Sequence, residues 1–258
     1  MKKRTAFIGA ILSLMPLGHP LLIKTGVVLS TTGFMLSVPE KVNAETADFY
    51  FNRALKKGER GDYYGAISDF TKAIEINPNG NAFYNRGWNK SQLKDHNGAI
   101  SDFTKAIEIN SNDAEAYYNL GWNKGELKDY YGAISDFTKA IEINPQYEKA
   151  YYNRGWNKGT LKDYYGAISD FTKAIEINPQ YEKAYYNRGW NKSQLKDYYG
   201  AISDYTKAIE INPNGKSSFK NRGIDKKNIG DLQGACSDWE KASSLGDKDS
   251  AKWVRDEC

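Results

Sequence analysis

Four Tyr-Trp pairs recur with Tyr four residues ahead of Trp: Tyr84 and Trp88, Tyr118 and Trp122, Tyr152 and Trp156, Tyr186 and Trp190. On a helix such residues share one face, so each pair would present a broad aromatic surface. Directly after each Tyr stands an Asn, at 85, 119, 153 and 187, with Asn52 and Asn221 in the same place at the two ends. An amide both donates and accepts, which suits it to the main chain of an extended ligand. Ser91, Gly125, Gly159 and Ser193 keep the following turn small. Such faces hold apolar peptide side chains, and they stack on sugars equally well.

Catalysis asks for a one-off constellation, and the sequence offers copies instead. There are two His, His19 and His96, and His96 stands where other copies carry Tyr164 or Tyr198, so it reads as a half-buried or surface substitute. No His/Cys cluster suggests a metal, and no motif suggests a cofactor. Asp102, Asp136, Asp170 and Asp204 recur at positions expected on the outer faces of helices, either solvated or paired with an Arg. The expectation is a binding protein with no enzymatic activity, metal or cofactor.

The elements that must position these residues follow from residues 150–179. A first helix ends near Leu161, Asp163 is placed to cap a second, and Asn178-Pro179 stops it. In the second helix Ala167, Ile168, Phe171, Ala174 and Ile175 form one apolar stripe of 3.6-residue period. One two-helix unit cannot cover that stripe, whereas stacked units bury each other's faces. Ala133, Ala167 and Ala201 are each 34 residues apart, as are Gly121, Gly155 and Gly189. Six units follow, 47–79, 80–113, 114–147, 148–181, 182–215 and a divergent 216–249, closed by a capping helix over 250–258.

With its period and its small-large pattern of Tyr151, Gly155, Ala167, Phe171, Ala174 and Pro179, the chain resembles the tetratricopeptide repeat (TPR) family over about four fifths of its length. The resemblance implies an all-α, right-handed superhelical solenoid whose first helices line a concave groove. It would place the Tyr, Asn and Trp series on that groove as a peptide-binding surface. The family's charged clamp for carboxyl-terminal peptides has little to work with here, because only Lys149 and Lys183 remain. Arg53, Arg86, Arg154, Arg188 and Arg222 stand where the family usually carries an apolar side chain. Their stems can pack while their heads find carboxylates, with Asp170 and its equivalents as candidates.

Residues 1–44 are of another kind. Lys2, Lys3 and Arg4 precede two apolar runs, and Val42-Asn43-Ala44 fits a signal-peptidase site, so cleavage after Ala44 is expected, with an uncleaved anchor as the alternative. That leader carries the whole formal charge of +4, leaving the repeats neutral. A neutral array has no excess positive charge to release counterions from phosphates, which sets nucleic acid aside. The mature protein is then expected outside the cytoplasm, periplasmic or secreted, without stable membrane insertion. Cys236 and Cys258 are the only cysteines. Cys236 fits a small buried hydrophobe and fits a disulfide to Cys258 equally well. The expected role is an exported scaffold holding a protein or extended peptide; a glycan-binding module or a structural spacer of the cell envelope are the alternatives.

Overall fold

A computed structural model of the protein describes residues 46–258. The expected leader and its cleavage site lie outside them. Among the described residues there are thirteen helices and no strand. First helices α1 (Ala47–Glu59), α3 (Gly80–Gln92), α5 (Ala114–Glu126), α7 (Glu148–Thr160), α9 (Glu182–Gln194) and α11 (Lys216–Asn228) alternate with second helices. These are α2 (Tyr63–Ile76), α4 (His96–Ile109), α6 (Tyr130–Ile143), α8 (Tyr164–Ile177), α10 (Tyr198–Ile211) and α12 (Leu232–Ser244), and α13 (Lys248–Glu257) closes the array. Each helix packs on those before and after it, and successive first helices also touch. That contact pattern is a solenoid's. None of the described helices is long and apolar enough to cross a membrane.

Local sequence marks the ends of the second helices. Asp163 accepts a hydrogen bond from the Gly166 N–H at 3.0 Å, and the equivalent Asp caps α2, α4, α6, α10 and α12 in the same way. Asn178 ends α8 in extended backbone (φ −131°, ψ 91°), as a residue ahead of Pro must. Asn110 does the same before Ser111, so the Asn alone suffices there.

Packing between the two helices of a unit depends on small residues. Ala150, Ala167, Phe171 and Ala174 are fully buried. A Cβ on Gly155 would sit 3.1 Å from Asp170 Cβ and 3.2 Å from both Ala167 O and Phe171 Cε1. The glycine therefore sets how closely α7 meets α8.

The Asp series faces inward, which corrects the expectation of outer-face carboxylates. Asp170 is 3% exposed, held by Arg154 through Nε at 2.9 Å and Nη2 at 2.7 Å, with Lys158 Nζ at 2.8 Å. A buried carboxylate needs that much compensation. Arg154 Nη1 also donates to Thr138 Oγ1 of the preceding unit at 3.0 Å, so one guanidinium ties the two helices of its unit together and that unit to its neighbour. Arg86, Arg188 and Arg222 repeat the pattern with Thr71, Thr172 and Thr206.

The closing helix begins at Lys248, two residues before the expected start, with Asp247 capping it through the Ser250 N–H at 2.8 Å. Cys236 and Cys258 are bonded as a disulfide, which decides between the two readings of Cys236. Trp253 stacks against buried Trp239 at 5.2 Å between centroids, and Lys220 and Lys227 pair with Asp249 and Glu257 across the same seam.

Candidate ligand groove

Three of the four Trp are exposed members of the aromatic series. Trp88, Trp156 and Trp190 are 38%, 45% and 38% exposed, and Trp122 is half-buried. Each is propped by the first residue of the second helix one unit back: Tyr63 on Trp88 (6.0 Å), His96 on Trp122 (5.8 Å), Tyr130 on Trp156 (6.3 Å) and Tyr164 on Trp190 (6.1 Å). Three of these contacts are edge-on, the favoured geometry for aromatic quadrupoles, so the indoles are oriented before any ligand arrives.

The Tyr series is turned toward the next unit and into the core. Tyr84, Tyr118 and Tyr152 pack on Phe103, Phe137 and Phe171 at 5.5, 5.7 and 5.7 Å, and Tyr186 packs on Tyr205 at 5.8 Å. Each phenol oxygen accepts from an Asn one unit further on: Asn119 to Tyr84 (3.0 Å), Asn153 to Tyr118 (2.9 Å), Asn187 to Tyr152 (2.9 Å), Asn221 to Tyr186 (3.0 Å). Burial pushes the phenols of Tyr118, Tyr152 and Tyr186 above their usual range. Asn85, with Phe51 ahead of it in place of a Tyr, donates to Asn81 O at 2.8 Å. The Tyr hydroxyls and one N–H of each of Asn119, Asn153, Asn187 and Asn221 thus form struts between units.

A second Asn series, directly after each Trp, was not singled out from sequence although its recurrence was there to be seen. Asn89, Asn123, Asn157 and Asn191 are buried, and each donates Nδ2 to the carbonyl four residues back at 2.7 to 2.8 Å. Asn123 Oδ1 lies 3.0 Å from His96 Nδ1, which gives that His a structural post. In Asn89, Asn157 and Asn191 no hydrogen-bond donor among the described residues reaches Oδ1.

Two clefts open between successive Trp. One, about 180 Å³, lies between Trp122 and Trp156, with Gly125, Phe137 and Asn157 among its lining and Glu126 beside them. The other, about 240 Å³, lies between Trp156 and Trp190 and is lined by Gly159, Phe171, Asn191 and Thr160 at the equivalent places. Both also include the Tyr and Asn of the following unit, Tyr152 with Asn153 and Tyr186 with Asn187. Of the candidate residues, Trp122, Tyr152, Asn153, Trp156, Tyr186, Asn187 and Trp190 are thereby brought together, whereas Tyr84, Asn85, Trp88, Tyr118 and Asn119 line neither cleft. Among the described residues no group of His, Cys, Asp and Glu is arranged to hold a metal.

Sequence models described as tetratricopeptide repeat match residues 114–147, 182–214, 47–79 and 148–181, and a TPR repeat model matches 91–125. No curated protein sequence matches the chain. Among solved structures, MamA is 25% identical, covering 64% of this chain and 96% of its own, with a TM-score of 0.61. YrrB, described as a TPR protein with an unusual peptide-binding site, is 24% identical over 72% of this chain and 97% of its own (TM-score 0.65). PilF of Pseudomonas aeruginosa is 19% identical over 82% and 97% (TM-score 0.67).

Proposed function

The chain belongs to the tetratricopeptide repeat family, and from that premise we propose that it is a non-catalytic scaffold that holds an extended segment of a partner protein in its concave groove. One observation carries the reading: consecutive, pre-oriented Trp side chains wall two neighbouring clefts. Packed helices stand about 8 to 10 Å apart, and an extended or polyproline-like chain advances about 3.1 to 3.4 Å per residue. Each unit therefore spans about three ligand residues. A segment with an apolar or Pro residue at every third place presents one to each cleft.

The proposed setting is outside the cytoplasm. Lys2, Lys3, Arg4 and Val42-Asn43-Ala44 motivate it. The Cys236–Cys258 bond supports it, because disulfides persist in oxidising compartments. Amino-terminal sequencing of the native protein tests it, with Glu45 expected first and an intact Met1 or Lys2 overturning cleavage.

Panning a library of randomised twelve-residue peptides against the protein tests the groove. Enriched peptides should share an apolar or Pro residue at every third place. Changing Trp122 and Trp156 to Ala should abolish their binding with helix content retained. A folded double variant that still binds places the ligand on another face; an unfolded one makes the indoles core. Displacement by oligosaccharides where peptides fail to compete transfers the groove to the glycan alternative.

A further inference from the structure

The third, fourth and fifth units are near-copies, so the few places where they differ isolate what each cleft has been given. Units 148–181 and 182–215 differ at five positions, and three of the residues involved, Gly159, Thr160 and Phe171, line the cleft between Trp156 and Trp190. Units 114–147 and 148–181 differ at four positions. One of these puts Glu126 in the Trp122–Trp156 cleft where Thr160 stands in the next.

Glu126 is exposed, and no ion pair holds it among the described residues. Among the described residues no Lys or Arg lines its cleft. At the same cleft Asn157 is 3% exposed and its Oδ1 receives no donor among the described residues. One N–H of Asn153 is given to Tyr118 at 2.9 Å. The cleft therefore presents a carboxylate and two indole faces over a buried amide oxygen that lacks a donor, with no Lys or Arg among its described lining. Each of these three features attracts a cation that carries hydrogens: the carboxylate by charge, the amide oxygen by accepting, and the indoles through their quadrupoles.

Resting on the peptide-groove reading, we propose that the Trp122–Trp156 cleft is a specificity site for a Lys or Arg side chain of the bound segment, with Glu126 as its selector. The Trp156–Trp190 cleft, with Thr160 in that place, takes an uncharged side chain about three residues away along the ligand. The groove then reads a basic residue and an apolar one in fixed register, and a homogeneous apolar repeat is a poorer ligand.

The test sequences dodecapeptides selected on the full-length protein and on two variants, Glu126→Gln and Thr160→Glu, each monitored for unchanged helix content. Wild-type peptides should carry Lys or Arg at one place of the shared motif. Replacing that residue by norleucine in a synthetic peptide should weaken binding about tenfold to wild type and about twofold or less to Glu126→Gln. Thr160→Glu should select a second basic residue about three places along. A shared motif that lacks the basic residue, or keeps it unchanged with Glu126→Gln, overturns this assignment and leaves the groove standing. Failure of any peptide to be selected overturns both.

Discussion

Leu120 leaves Asp136 with Lys124 Nζ, at 2.7 Å, as the cation paired with it, where Asp170 one unit on is gripped by both Arg154 and Lys158. Leu120 is buried against Ala99 and Phe103, at the place from which the other arginines reach back to a Thr of the unit before. The third unit thus lacks both the bidentate pair and the strut. Restoring them with Leu120→Arg regains charge-assisted bonds worth roughly 1.5 to 3 kcal/mol and gives up part of the leucine's burial, roughly 1.5 kcal/mol. A net gain of about 1 kcal/mol is expected, read as a higher urea midpoint at unchanged slope. Arg154→Leu should lower the midpoint, since it strips a bidentate partner from buried Asp170.

Acid should act with opposite signs on Asp136 and on Asp69, the first unit's member of the same series. The hydrogen bond from Arg53, against the opposing effect of burial, takes Asp69 from its ordinary 3.8 down to about 2. The folded state then binds that proton less tightly than the unfolded chain. The resulting stability is complete above about pH 4 and is lost as pH falls through 2. Burial raises the Asp136 carboxyl instead, with Lys124 opposing. Its contribution is largest below the unfolded value and is lost as pH rises through the folded one. Urea midpoints between pH 2 and 7 check this: Asp69→Asn should flatten the acid limb, and Asp136→Asn should cost less at pH 7 than Asp69→Asn does.

Period, caps and the Arg-to-Asp pairing were legible because each is a local pattern copied many times: Asp163 three residues before Gly166, Asn178 before Pro179, Arg154 sixteen residues before Asp170. The direction a copied residue faces was not. Tyr118 and Asn119 are adjacent in sequence, yet Tyr118 bonds Asn153 of the next unit, 35 residues on, and Asn119 reaches back to Tyr84. A repeat tells that an interaction recurs without telling which neighbour receives it. Trp253 was hidden for the opposite reason: it occurs once, and only the fold brings it against Trp239.

The closing helix should be the part most sensitive to reductant. The Cys236–Cys258 bond closes a 22-residue separation, which in the chain-entropy picture stabilises by about 3 kcal/mol. Under reduction, or with Cys258→Ser, hydrogen-exchange protection should fall first in α13, α12 and α11 while α5 to α8 keep theirs. Equal loss along the whole array would mean that the array opens as one unit and the bond has no local role.

The struts and the Trp walls should separate in their effects. Tyr118→Phe keeps a ring against Phe137 at 5.7 Å and Tyr147 at 5.0 Å but leaves the Asn153 amide without its acceptor. Losing one half-buried hydrogen bond should cost about 1 kcal/mol of stability. Because that hydroxyl is turned to Asn153, affinity for a selected peptide should stay within about twofold, whereas Trp156→Ala, which removes a wall shared by both clefts, should cost about tenfold or more. Isothermal titration of one selected peptide against each variant, beside its urea midpoint, measures both effects on the same preparations. If Tyr118→Phe weakens binding as far as Trp156→Ala, the Tyr-Asn ladder opens to the ligand and the Asn series reads its main chain after all.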